Sequence, residues 1–221
     1  MNREETPIDS SQKFIPREKS PRIITLIQNK GGSFRTSLAF AIAKNFLRNN
    51  RKVRCFDFDQ QLNLQKMLSD ICQSGSGVQI SDLESVEADY IINDTPPTIG
   101  QEHIQLMMKS TLVLVPIHLS RFDVEQGTSL LETISAMGIN EKTKLILVHS
   151  GKHTSLFKNL KPFLEDLARD YGTEIICEMS RNQAVPQGLL EGKTVFEINS
   201  PPTVREEFKT LFKQVGKHLV Q

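Results

Sequence analysis

The stretch Asn29-Lys30-Gly31-Gly32-Ser33-Phe34-Arg35-Thr36-Ser37 lies between an apolar run, Arg22–Gln28, and a helical run that opens at Leu38. A glycine-containing loop between a strand and a helix can hold phosphate. Its backbone N–H groups turn inward, and the positive end of the helix faces the anion. Gly31 and Gly32 permit the close approach this needs, and the Thr36 hydroxyl is of the type that holds Mg²⁺. Two positions depart from the pattern. Arg35 stands where a lysine would reach the β- and γ-phosphates, and Phe34 stands where a glycine would sit. If the backbone at that point requires positive φ, a phenylalanine there costs about 1–2 kcal/mol.

Three carboxylates follow the loop. Asp57 and Asp59 close the second apolar run, "FDFDQQLN", and are expected on one face of an extended strand end. Asp94 closes the third, "YIINDTPP". In open α/β sheets, ligands bind beyond the carboxyl ends of the strands. Carboxylates in order behind a Gly-Gly loop are therefore expected to converge on a Mg²⁺-nucleotide.

The elements that must position these residues alternate. Strands are expected at Arg22–Gln28, Lys52–Asp57, Tyr90–Asp94, Leu112–Ile117, Leu145–Val148 and Glu174–Cys177. Helices are expected at Thr36–Asn49, Phe122–Met137 and Ser155–Tyr171. The strand runs are mostly continuous in apolar residues, which suits a sheet covered on both faces. The alternation predicts an α/β class, with a doubly wound, mostly parallel sheet and helices on both sides. "QSGSG", Gln73–Gly77, reads as a flexible breaker. Residues 1–21 are polar and punctuated by proline, and read as a mobile tail ahead of one domain over 22–221.

Composition narrows the classes. At 221 residues the chain is long enough for a core without staples, and 38% hydrophobic against 24% charged residues describes an ordinary globule. The net charge of +1 gives no global attraction to nucleic acid or anionic lipid, so such binding must rest on a local patch. Cys55, Cys72 and Cys177 lack paired spacing, and Cys55 and Cys177 read as buried free thiols, which fits a reducing cytoplasm. No apolar run approaches the ~20 residues of a membrane span.

Five segments, taken in order, resemble the ParA/MinD family of deviant Walker-A ATPases, and ParA-type partition proteins in particular. "NKGGSFRTS" is similar to K-G-G-x-G-K-[TS]-[TS]. "DFDQQLN" is similar to D-x-D-P-Q-x-N, with Gln60 in place of proline. "YIINDTPP" matches the Walker-B strand, "VLVPIHLSRFDVEQG" a strand with proline and its helix, and "SRNQAVPQGLLEGKTVFE" a late P-R-N…G-K-x-V segment. The resemblance implies a P-loop NTPase fold with ATP and Mg²⁺ as cofactors. It implies that Lys30 crosses a homodimer interface to the partner's phosphates. Gly31, Gly32, Ser33, Phe34 and Arg35 would form the loop, and Thr36 and Ser37 would contact phosphate. Thr36 and Asp94 would hold Mg²⁺, Asp59 would position the attacking water, and Arg181 and Asn182 would lie near the adenine. Arg for Lys is not conservative at such a site. Charge for binding can survive while transition-state geometry does not.

The C-terminal segment "TVREEFKTLFKQVGKHLVQ" carries two stripes. Val204, Phe208, Leu211, Phe212, Val215 and Leu219 are apolar at helical spacing, and Arg205, Lys209, Lys213 and Lys217 recur every four residues. The basic stripe is either a solvated helix face or a contact for the phosphates of non-specific double-stranded DNA. The expected function is ATP-dependent dimerisation and DNA binding in plasmid or chromosome partition, with a centromere-binding partner protein and no membrane. A catalytically impaired scaffold is the first alternative. The second is a MinD-like membrane-associated ATPase, which would need an amphipathic C-terminal helix free to enter lipid. His149 and His153 are not expected to bind metal, Met107 and Met108 read as core, and no serine sits in a nucleophile elbow.

Overall fold

The computed structural model describes residues 20–29, 32 and 34–220. The expected tail falls on residues 1–19, outside the described residues, as do Lys30, Gly31 and Ser33 of the loop.

Seven parallel strands form one sheet in the order β3-β2-β4-β1-β5-β6-β7. They are β1 (Arg22–Leu26), β2 (Val53–Asp57), β3 (Cys72–Ser74), β4 (Tyr90–Asp94), β5 (Leu112–His118), β6 (Thr143–His149) and β7 (Glu174–Ser180). The chain order reverses at β1, so the crevice beyond β1, β2 and β4 is the topological switch point where open α/β sheets bind ligands. The helices are α1 (Arg35–Arg48), α2 (Asn63–Met67), α3 (Gln101–Lys109), α4 (Arg121–Ala136), α5 (Ser155–Asp170), α6 (Ala184–Leu190) and α7 (Pro202–Leu219), with a 3₁₀ turn at Ile80–Ser85.

The strands are buried for the reason their sequences suggest, since helices cover both faces. On one side α1, α6 and α7 bury Phe40, Ile42, Phe208 and Leu211 against Ile24, Ile92 and Ile146. On the other, α4 and α5 bury Leu130, Ile134 and Leu164 against Val113, Val115 and Leu147, and α3 adds Leu106 beside Ile91.

Several expectations shift. The "QSGSG" breaker begins inside β3, whose three residues extend the sheet beyond β2. β6 runs two residues earlier than the apolar pattern, because Thr143 donates to the Ile139 carbonyl and Lys144 pairs with Glu174 at 3.1 Å. Met107 is core, but Met108 is 51% exposed, because α3 turns that residue outward. Helix α7 lays Val204, Phe208, Leu211, Val215 and Leu219 into the core, so this apolar face is already covered. Among the described residues no helix is long and apolar enough to cross a membrane.

Candidate nucleotide-binding site

A cleft of about 920 Å³ opens beyond the carboxyl ends of β1, β2 and β4. Gly32, Thr36 and Ser37 line one wall, Asp59 and Asn63 a second, and Arg181 and Asn182 a third. Segments far apart in the sequence therefore meet at one place.

The loop hangs from the end of β1. Gln28 is buried and its side-chain amide donates to the Pro116 carbonyl at 2.9 Å, while its Oε1 accepts the Asn29 N–H at 2.7 Å. That ties the loop's first residues to β5. Gly32 has φ +68°, and a Cβ there would meet nothing within 4 Å, so the position is open toward the cleft. Phe34 caps α1 with φ 71°, in the left-handed region. The strain expected of a phenylalanine at this point is therefore present in the backbone. Its ring turns toward the body of the protein, edge-on to His118 with centroids 6.3 Å apart.

The metal corner follows. The Thr36 hydroxyl donates to Asp94 Oδ2 at 2.6 Å, whereas Asp94 Oδ1 is buried without a hydrogen-bond partner among the described residues. Asp94 is 1% exposed. Burial pushes its carboxyl up to about 7, against the Thr36 hydrogen bond and the Arg35 charge, which favour the ionised form. A buried carboxylate with an orphaned oxygen beside a hydroxyl is a donor set suited to a small hard cation. These residues fit Mg²⁺.

Phe34 and Arg35, in the adjoining corner, also line the cleft. Arg35 is 5% exposed, and its Nη1 donates to the Gln28 carbonyl at 2.9 Å and to the Pro96 carbonyl at 2.5 Å. Its Nε is buried without a hydrogen-bond partner among the described residues. Burial pulls the guanidinium's pKa down, opposed by the charges of Asp94 and Asp59. The side chain thus ties the start of the loop to the segment after β4. Both bonds leave one guanidinium nitrogen, Nη1.

The three carboxylates also separate in role. Asp57 is fully buried; its Oδ2 accepts the N–H groups of Leu64 and Gln65 at 2.9 and 3.1 Å, and its Oδ1 that of Asp59 at 3.0 Å. It therefore caps α2, whose own N-cap, Leu62, supplies no side-chain acceptor. Desolvation raises its pKa, and those three backbone donors oppose the rise. Of the three carboxylates Asp59 lines the cleft, Asp94 borders it through its bond from Thr36, and Asp57 is spent on α2. Glu102 and His103 also line it, although neither stood out in sequence. His103 is fixed by accepting the Gly100 N–H on Nδ1 at 2.9 Å.

On α7, Lys209, Lys213 and Lys217 are exposed, and Arg205 is half-buried, its Nε donating to Ser200 Oγ. Lys209 is paired with Glu206 at 2.6 Å, so the stripe is less uniformly basic than its spacing suggests.

The fold, the crevice at the switch point and the Thr36–Asp94 corner define a nucleotide-binding class. Residues 24–195 match the CobQ/CobB/MinD/ParA nucleotide binding domain. The chain belongs to that family. It is 26% identical over 153 residues to a cytosolic Fe-S cluster assembly factor NUBP1 homolog of Caenorhabditis elegans. That match covers 64% of this chain and 49% of the relative, so the chain spans about half the length of the curated relatives it matches. Among solved structures, a McdA–ATP complex from Cyanothece superposes with TM-score 0.71 at 16% identity, covering 90% of this chain and 98% of that one. A plasmid partition protein from Borrelia burgdorferi gives 0.60 at 17%, covering 90% and 99%. At such identities the likeness is one of fold, and that fold is the P-loop NTPase architecture of ParA and MinD.

Proposed function

We propose that this chain is a ParA-type partition protein that binds Mg²⁺-ATP or Mg²⁺-ADP in the cleft and turns ATP over slowly without a partner. The observation that carries the reading is the buried Thr36–Asp94 pair, with its orphaned carboxylate oxygen, at the mouth of the family's phosphate loop. Mg²⁺ bound there would neutralise phosphate charge. Thr36 and Asp94 would hold it, Ser37 and the loop backbone would contact phosphate, Asp59 would orient water, and Arg181 and Asn182 would flank the base. Lys30, outside the described residues, would reach across a homodimer, as the family resemblance implies. DNA would meet Lys209, Lys213 and Lys217 through phosphate contacts.

One observation favours a slow or silent enzyme within this reading. Arg35 lines the cleft but spends Nη1 on two backbone carbonyls, which would restrain the cation expected at the transferring phosphate. Size-exclusion chromatography with Mg²⁺-ATP, Mg²⁺-ADP or neither, followed by DNA retention of each species, tests the function. A nucleotide-dependent dimer that retains DNA, and loses both properties in Lys30→Ala, is the expected outcome. A chain that remains monomeric and ignores DNA in every nucleotide state overturns it.

A further inference from the structure

Cys55 and Cys72 are direct register partners on the adjacent parallel strands β2 and β3, and both side chains fall in the same buried cluster. In-register residues of a parallel pair point to the same face, with Cα atoms about 4.8 Å apart, inside the span a disulfide bridges. The ladder fixes them there: the Cys55 N–H donates to the Ile71 carbonyl at 2.8 Å, and the Gly75 N–H to the Asp57 carbonyl at 2.7 Å. Beyond them Gly75 lies under the Phe58 ring, where a Cβ would come within 2.3 Å of ring carbon, so a larger residue would have to push the ring aside. We infer that Cys55 and Cys72 form a dithiol–disulfide site that takes a low-molecular-weight disulfide, such as oxidised glutathione, as its co-reactant.

Access runs through the sheet edge. β3 is three residues long, has a strand on one side only and is followed by exposed Ser76, so it is the segment of this sheet with the least to hold it. Opening frees Cys72 first, since Cys55 lies one strand further in. The Cys72 thiolate attacks one sulfur of the small disulfide; a Cys72–glutathione bond forms and one glutathione leaves as thiolate. Cys55, having lost its proton to solvent, then attacks Cys72 Sγ; the Cys55–Cys72 bond forms and the second glutathione leaves. Two protein thiols are oxidised, and one disulfide is reduced to two thiols. In the closed state the Cys55 thiol is pushed well up by its hydrogen bond with Cys72 and by burial. The closed pair is therefore unreactive, and the chemistry waits on opening. The loop that the bond closes carries Asp57, Phe58, Asp59 and α2, which is the second wall of the cleft. Cys177, buried alone in β7 and pushed up to about 12, has no such partner.

The full chain is incubated with oxidised glutathione under native conditions, digested without reduction and mapped by mass spectrometry. A Cys55–Cys72 link that dithiothreitol releases, that persists in Cys177→Ser and that gives way to a glutathione adduct on the remaining thiol in Cys55→Ala is the expected result. Closing this loop is expected to raise the melting temperature by about 6–12 °C. No such link after full exposure, a link through Cys177, or a Cys55–Cys72 link that lowers the melting temperature overturns the proposal. Should Cys55→Ala fail to fold, Cys72→Ser, at the sheet edge, serves as the second single-thiol control.

Discussion

The two corners of the phosphate loop sit one residue apart and have met opposite fates. At Thr36 the side chain faces Asp94, and the pair keeps what a cation needs: a hydroxyl, a buried carboxylate and an oxygen without a hydrogen-bond partner among the described residues. At Arg35 the side chain folds back onto Gln28 and Pro96, and the residue before it holds a left-handed backbone that a glycine would adopt at no cost. On the proposed function, binding and turnover would be separable in this cleft. The metal corner depends on two side chains already in place, whereas the transferring-phosphate corner depends on a cation now serving as a structural tie.

The largest expected break is at the metal corner. Asp94→Asn keeps the shape and removes the charge, so the Mg²⁺ dependence of nucleotide affinity should fall by roughly 100-fold. The metal-free protein should hold or raise its melting temperature, because a buried carboxyl is removed. Calorimetric titration with and without Mg²⁺ reads the first, and thermal melting the second. An unchanged Mg²⁺ response would place the metal elsewhere.

The other corner should sharpen the contrast. Phe34→Gly with Arg35→Lys is expected to raise ATP turnover by about 10-fold or more, within the range one positioned electrostatic contact supplies. Arg35→Lys alone should cost about 2 kcal/mol of stability, through loss of the bridge to Gln28 and Pro96. If turnover, affinity and stability are all untouched, the loop is not the site described.

Farther away, Lys209→Glu with Lys213→Glu should weaken binding to every DNA sequence alike, by about 10-fold at low salt and less as salt rises. Successive basic residues are rotated by about 40°, so one helix presents them as a shallow sweep. Melting should barely move, since Phe208 and Leu211 on the opposite face keep their contacts. Unchanged gel-shift affinity would leave α7 a solvated face.

The smallest expected effect is that of pH. Asp94 titrates near 7 in the folded protein, against an ordinary carboxylate value near 4 when unfolded. The folded state therefore holds a proton that the unfolded state has released. The stabilisation this gives is complete below about pH 4 and is lost as pH rises through about 7. Metal-free melting temperatures should fall over that window, while Mg²⁺ affinity climbs. Asp94→Asn should flatten both curves.

Much of this was legible in the chain. β4 runs from Tyr90 to Asp94 as its apolar run reads, Gly32, Thr36, Ser37, Asp59, Arg181 and Asn182 line one cleft, and Asp94 borders it through Thr36. The rest was hidden for physical reasons. β3 is too short to show a period, and its pairing with β2 is a tertiary fact. α2 has five residues and no cap of its own; a carboxylate from β2 closes its first turn, so Asp57 could not be told from a metal ligand by type or spacing. Arg35 is visible as a substitution, but the direction of a long side chain is set by which carbonyls lie nearby, and those come from β1 and from the segment after β4.

The measurement that bears most directly on the account is isothermal titration of the unmodified protein with ADP and ATP at pH 8, with Mg²⁺ and then with EDTA. Saturable binding of both nucleotides with Mg²⁺ is expected, with a loss of about 10-fold or more without it, because Thr36 and Asp94 would hold the ion that the phosphates share. No heat at millimolar nucleotide, or equal affinity with and without the metal, would contradict it.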